Sequence, residues 1–184
     1  MEQEKWSVRL LRMEDLQDDA LKSLDRFQVT QWMRVAQEDG YRTREEYFED
    51  DWDEARKVEI ARSLRTSLYH GGIVAGALQG GVLKGFACVQ GGFFGLGKGY
   101  MELAYLHVSR EAKHQGIGMR LFRLCCEEAR RMGAKKLYLS THPSVETQRF
   151  YDAAGCVPAV EVDPVLLARE PFDIQLEFDL GGLG

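Results

Sequence analysis

The stretch Glu102–Gly118, reading ELAYLHVSREAKHQGIG, decides how this chain is read. It opens as a run of apolar and aromatic residues suited to a buried strand, passes through a short basic turn, and reaches two glycines separated by Ile117. From Met119 the apolar spacing becomes helical. A helix from Gly118 to about Met132 would place Leu121, Leu124, Cys125 and Ala129 inward and Arg120, Arg123, Glu127 and Arg131 outward, with Gly133 ending it. A strand, a glycine-bearing turn and a helix N-terminus together make an anion receptor. The turn N–H groups point outward, and the helix dipole adds about half a unit of positive charge. A phosphate-bearing ligand is the expectation for this stretch.

On the N-terminal side, IVAGALQ (Ile73 to Gln79), the Gly80-Gly81 turn and VLKGFACVQ (Val82 to Gln90) form the clearest hairpin in the chain. A glycine-rich loop, GGFFGLGKG, follows it. Before the hairpin, a helix from about Asp53 to His70 carries Val58, Ala61, Leu64 and Leu68 on one stripe and is stopped by Gly71-Gly72. Phe27 to Phe48 reads as a hairpin or extended arm, because Val29, Gln31, Met33 and Val35 alternate with their neighbours around Gly40. Ser7 to Met13 reads as a first strand and Asp15 to Leu24 as a short helix. On the C-terminal side, Lys136 to His142 is a strand, and Pro143-Ser144 opens a helix running to Gly155 with Ser144 as N-cap. Two strands close the chain, near Val157 to Asp163 and Phe172 to Leu180. In the second of these, Ile174, Leu176, Phe178 and Leu180 alternate with Gln175, Glu177 and Asp179. Antiparallel pairs followed by helical crossovers make a mixed sheet, so the fold class is α/β (α+β).

The 184 residues suit a single domain, with roughly 70% of the unfolded surface buried and no need of a disulfide or metal staple. A net charge of −5 argues against nucleic acid or an anionic membrane as the main partner. No apolar run reaches about 18 residues, and MEQEKW lacks a signal-peptide core, so a cytoplasmic location is expected. The four cysteines contain no C-x-x-C pair, and the four histidines show no H-x-x-x-H spacing. No metal is expected.

Two phosphate motifs fail on particular residues. Gly92 to Lys98 fits G-x-x-x-x-G-K, yet Gly99 stands where a P-loop needs Ser or Thr, and a strand follows where a helix is required. In a dinucleotide fingerprint starting at Gly116, the third glycine falls at Leu121, and Lys135 and Lys136 stand where an acidic ribose ligand belongs.

A third pattern fits. Lys113-His114-Gln115-Gly116-Ile117-Gly118 resembles the acetyl-CoA pyrophosphate loop of GNAT N-acetyltransferases, whose pattern is Gln/Arg-x-x-Gly-x-Gly/Ala. Glu102-Leu103-x-x-Leu106-His107-Val108 resembles the strand before that loop, and Phe150-Tyr151-x-x-x-Gly155 the segment ending the family's later helix. The agreement runs from residue 73 to about 180, within one domain spanning 1–184. It implies a GNAT-like fold with a mixed, mostly antiparallel sheet of about six or seven strands and flanking helices. Lys113 departs from the usual Gln or Arg, and Ser144 and Thr147 stand where the family often has Asn and Ala.

The resemblance implies an acetyl-CoA-dependent N-acetyltransferase acting on a primary amine, by direct attack in a ternary complex. The rival reading is a non-catalytic acyl-CoA sensor or scaffold of the same fold. His114, Gln115, Gly116, Ile117, Gly118 and Met119 would wrap the pyrophosphate through main-chain donors beside Lys113, and Leu106, His107 and Val108 would offer strand backbone to the pantetheine near Ser144. Arg120 and Arg123 either face the nucleotide's phosphates or form a solvated helix face.

An amine of reference pKa near 10.4 must lose a proton at a cost of about 4.6 kcal/mol at pH 7. Glu102 matches an acidic position used as a base in some members, and its alternative role is binding the acceptor's charge. Tyr151 matches the usual general acid for the thiolate, the alternative being a core aromatic. Neither His107 nor His142 is taken as a base. The acceptor, a small-molecule or peptide or protein amine, would contact the arm and the 164–171 loop. EEYFEDDWDE (Glu45 to Glu54) offers acidic residues that suit a cation and equally suit a solvated surface. A homodimer is compatible with all of this.

Overall fold

The computed structural model describes residues 6–182; residues 1–5, part of the segment read for a signal peptide, lie outside them. Strands β1 (Trp6–Leu10), β4 (Ile73–Gln79), β5 (Val82–Val89), β6 (Tyr100–Val108), β7 (Lys136–Thr141), β8 (Val157–Pro158) and β9 (Ile174–Asp179) form one seven-stranded sheet in the order β1-β4-β5-β6-β7-β9-β8. Every neighbouring pair is antiparallel except β6 with β7. The mixed, mostly antiparallel sheet expected from the sequence is therefore present.

Helix α1 (Glu54–Tyr69) covers one face together with Leu11, Leu16, Leu21 and Leu24. Helices α2 (Ile117–Arg131) and α3 (Val145–Ala154) cover the other, with Leu121, Phe122, Cys125, Ala129 and Tyr151 in its core. Of the stripe read on α1, Ala61 and Leu64 are buried, joined by Ile60 and Ser67, while Val58 is only half-buried. Leu68 is half-buried against the same core, and α2 also buries Phe122 and Cys126. All four cysteines are buried free thiols, and burial pushes those of Cys126 and Cys156 up to about 12.

The arm is a ribbon of its own, β2 (Gln28–Gln37) antiparallel to β3 (Gly40–Asp50), turning at Gly40. It is moored to the mouth of α3. Met33 bridges Ser144, the Arg34 N–H donates to the Pro143 carbonyl at 2.8 Å, and the Arg34 guanidinium meets Asp152 at 2.5 Å.

Three expectations are corrected. Residues 15–24 do not form a helix; after a 3₁₀ turn at Met13–Asp15 they make successive tight turns, with Ala20, Lys22 and Leu24 each bonding three residues back. The aspartates there serve other groups: Asp15 takes the Arg12 N–H and the Arg9 guanidinium, and Asp18 takes Arg62 and Arg65. The strand expected over 157–163 shrinks to Val157–Pro158. The 164–171 segment, expected as a loop, begins with helix α4 (Pro164–Arg169), whose N-cap Asp163 accepts from the Val165 and Leu166 N–H groups. This cover buries the polar face of β9, where Glu177 bonds the Tyr100 hydroxyl at 2.5 Å and Lys136 at 2.6 Å.

Candidate active site

The decisive local feature is where β6 loses its neighbour. It pairs with β7 only from Tyr100 to Glu102, so from Leu103 onward that edge has no strand partner. On its other edge, Cys88 faces Tyr105 while Val89 faces Leu103, which leaves Ala104 as an extra residue. The extra residue reverses the alternation. Met101 and Leu103 point into the α2 core before it, Leu106 and Val108 do so after it, and Tyr105 and His107 turn to the α1 face.

Beyond the strand, His114 and Gly116 both adopt positive φ, 60° and 74°. Gly116 is the N-cap of α2, with no side-chain cap, so the first N–H groups of the helix have no side-chain partner. A cavity of about 840 Å³ lies against this bare helix end and the open edge of β6. Its lining includes Leu106, His107, Val108, Lys113, His114, Gly116, Ile117, Gly118, Met119, Ser144 and Tyr151. Gln115 is outside the lining, where its side chain accepts from Trp6 Nε1 at 3.1 Å and donates to the Glu111 carbonyl at 3.0 Å. A Cβ on Gly118 would come within 3.1 Å of the Phe150 ring, so the helix end and α3 touch there. Lys113 reaches across to Glu146 on α3 at 3.3 Å. Ser144 is buried and its oxygen accepts the Thr147 N–H at 3.2 Å, in the N-cap role read from the sequence.

A smaller cavity of about 170 Å³ shares Arg26, Gln28, Thr30, Leu106, His107, Thr147 and Tyr151 with the larger one. Its other walls are β3, through Phe48 and Asp50, β6, through Leu103 and Ala104, and the end of β7, through Ser140 and Thr141 with His142 just beyond it. Tyr151 thus stands where the two cavities meet. Burial raises its phenol well above the ordinary value.

Burial holds the His107 imidazole far below its usual value, with Arg26 and Lys113 adding to the effect, so it is neutral at physiological pH. His107 packs edge-on against Trp52 at 4.7 Å. His142 is also lowered by burial, and its Nδ1 accepts the Ser144 N–H at 3.1 Å, which puts its proton on Nε2. Neither ring is arranged as a base.

Arg26, which the sequence reading passed over, is nearly buried, lies over the Trp52 ring at 5.2 Å and pairs with Asp50 at 3.2 Å; its Nε has no partner. Glu102 lines neither cavity, and its Oε1 accepts from Arg169 of α4 at 2.7 Å. No group of His, Cys, Asp and Glu among the described residues is arranged to hold a metal. No helix among them is long and apolar enough to cross a membrane.

Residues 29–156 match the family model for the GNAT family of acetyltransferases. No curated protein matches significantly. Among solved structures, a nourseothricin acetyltransferase superposes with a TM-score of 0.67 at 19% identity, covering 95% of this chain and 98% of that one. A Bacillus anthracis structure assigned as a streptothricin acetyltransferase, in complex with acetyl coenzyme A, also reaches 0.67, at 16% identity over 94% and 96% of the two chains. The PaiA N-acetyltransferase of Thermoplasma acidophilum, in complex with coenzyme A, reaches 0.61 at 17% identity over 95% and 99%. At these identities the likeness is one of fold. The family match spans most of the chain, and the chain belongs to the GNAT family of acetyltransferases.

Proposed function

We propose that this protein is an N-acetyltransferase that moves the acetyl group of acetyl-CoA to a primary amine, with the donor in the larger cavity and the amine in the smaller. The observation that carries the reading is a conjunction: the unpaired edge of β6 and the bare N-terminus of α2 line one cavity. The first suits the amides of a pantetheine chain, and the second suits a pyrophosphate. At Gly116 there is no side chain, and nothing lies within 4 Å of where a Cβ would be, so the ligand's approach to the backbone is open. Relatives of the same fold are named as acetyltransferases in complex with acetyl coenzyme A or coenzyme A.

Bound acetyl-CoA supplies a thioester, whose exchange for an amide drives the transfer. The side chains of this chain position and move protons. His114 to Met119 hold phosphate through main-chain N–H groups, and Lys113 adds a positive charge beside them. Leu106 to Val108 hold the extended arm of the ligand. Tyr151, at the junction of the two cavities, donates a proton to the leaving sulfur, its phenol being protonated at neutral pH and within reach of both. Glu102, already engaged by Arg169, acts on the acceptor's charge from outside the cavity rather than on the reacting nitrogen. The smaller cavity admits only a compact amine, or one end of a longer one.

The test is release of CoA thiol from acetyl-CoA over a panel of primary amines. Amine-dependent release supports transfer. Tight CoA binding without release by any amine would point instead to a sensor or scaffold.

A further inference from the structure

The sheet face opposite α2 carries two carboxylates in different company. Glu102 on β6 is paired with Arg169 and lines neither cavity. Asp173, just before β9, forms no ion pair among the described residues, and its Oδ2 accepts the Ser140 hydroxyl at 3.0 Å. Ser140 itself lines the smaller cavity. The hydroxyl therefore links that cavity to a half-buried carboxylate behind it. Burial is the main influence on Asp173 and pushes its carboxyl up to about 6; the Ser140 bond opposes this, Glu170 reinforces it and Arg169 opposes it. The other titratable groups around the cavity do not compete. His142 Nδ1 is occupied, burial depresses His107, and Asp50 is paired with Arg26.

We propose that Ser140 and Asp173 are the proton outlet of the acceptor site, Ser140 touching the incoming amine and Asp173 acting through it. The step balances as a relay. The Ser140 oxygen takes a proton from the acceptor's ammonium nitrogen while its own hydroxyl proton passes to Asp173 Oδ2. The nitrogen is left neutral with its lone pair, the serine is restored, and the carboxylate becomes a carboxylic acid that returns its proton to solvent. Two carboxylates in contrasting surroundings divide the work: the paired one holds charge and the desolvated one takes the proton. The proposal rests on the reading of the protein as an N-acetyltransferase.

The test is kcat/KM for the amine as a function of pH, in wild type, Asp173→Asn and Ser140→Ala, with acetyl-CoA and lysine, putrescine or tyramine as probe amines. Wild type is expected to lose rate below an acid limb centred at about 6. Asp173→Asn keeps an oxygen for Ser140 to bond. It is expected to lose both that limb and at least about tenfold in kcat at neutral pH, with KM for acetyl-CoA unchanged. Ser140→Ala is expected to lose rate by a similar factor, which provides the second readout if the asparagine variant folds poorly. An Asp173→Asn enzyme with wild-type rate and an intact acid limb overturns the proposal while leaving N-acetyl transfer standing. A wild type that releases no thiol with any probe overturns both, and that outcome is separable because it appears without any substitution.

Discussion

The donor side and the acceptor side of this molecule are built from different materials. The donor side rests mainly on backbone: an unpaired strand edge, two residues in left-handed conformation and an uncapped helix end lie within one continuous stretch from Leu103 to Met119, with residues 26–32 and α3 closing the cavity over them. The acceptor side is side chains gathered from four places: Arg26, the ribbon through Phe48 and Asp50, the end of β7 and the turn after it from Ser140 to His142, and Asp173 behind it. Main-chain groups are the same in every residue, so a backbone site recognises what all donors of one kind share. A site of side chains drawn from separate segments can change one residue at a time, and so it is where specificity resides.

The largest expected effect tests the donor side. Gly116→Val places a β-branched residue at φ 74° in the loop. Strain of about 1–3 kcal/mol, expressed in the binding loop, lowers CoA affinity roughly ten- to hundredfold. Thermal shift with CoA reads this, and an unchanged shift would mean the loop does not hold the ligand. Next is the junction: Tyr151→Phe is expected to lower kcat at least about tenfold with CoA affinity unchanged, and an unaffected kcat removes Tyr151 from proton transfer.

On the acceptor side, Glu102→Gln is expected to raise KM for the amine about fivefold without moving the acid limb. A rate loss recovered at high pH would instead make Glu102 the base. The smallest effect is on stability. Asp173 titrates near 6 when folded, above its ordinary 3.8, so what it contributes to stability is present below 3.8 and lost as pH rises through 6. Asp173→Asn should therefore melt a few degrees above wild type at neutral pH, with the gap closing toward pH 4. A lower melting temperature at neutral pH would show that the carboxylate is a structural asset rather than a functional cost.

The same contrast explains what could be read from the sequence. The Gly116–Gly118 spacing, the β4–β5 hairpin with Gly80 and Gly81 both at positive φ, and the Ser144 cap are local devices, and each stands in the structure as read. The arm was legible as a ribbon because its alternation is also local. Residues 15–24 misled because their leucines suit a helix, while their aspartates are committed to Arg9, Arg62 and Arg65 far along the chain or outside the segment. The α4 start does carry a local signal, Asp163 as N-cap before Pro164, which marks a helix where the reading had a loop. Arg26, Ser140 and Asp173 carried none. Each is an ordinary polar residue until the fold brings Arg26 and Ser140 to one small cavity and sets Asp173 behind it.

The most direct test of the central claim is a calorimetric titration of the wild-type protein with CoA, repeated in the presence of excess ATP and of NAD. If the larger cavity is an acetyl-CoA site, CoA binds with a stoichiometry near one, and neither nucleotide weakens it by more than about twofold. Absence of CoA binding, or its full displacement by ATP or NAD, would contradict the assignment of that cavity and with it the proposed reaction.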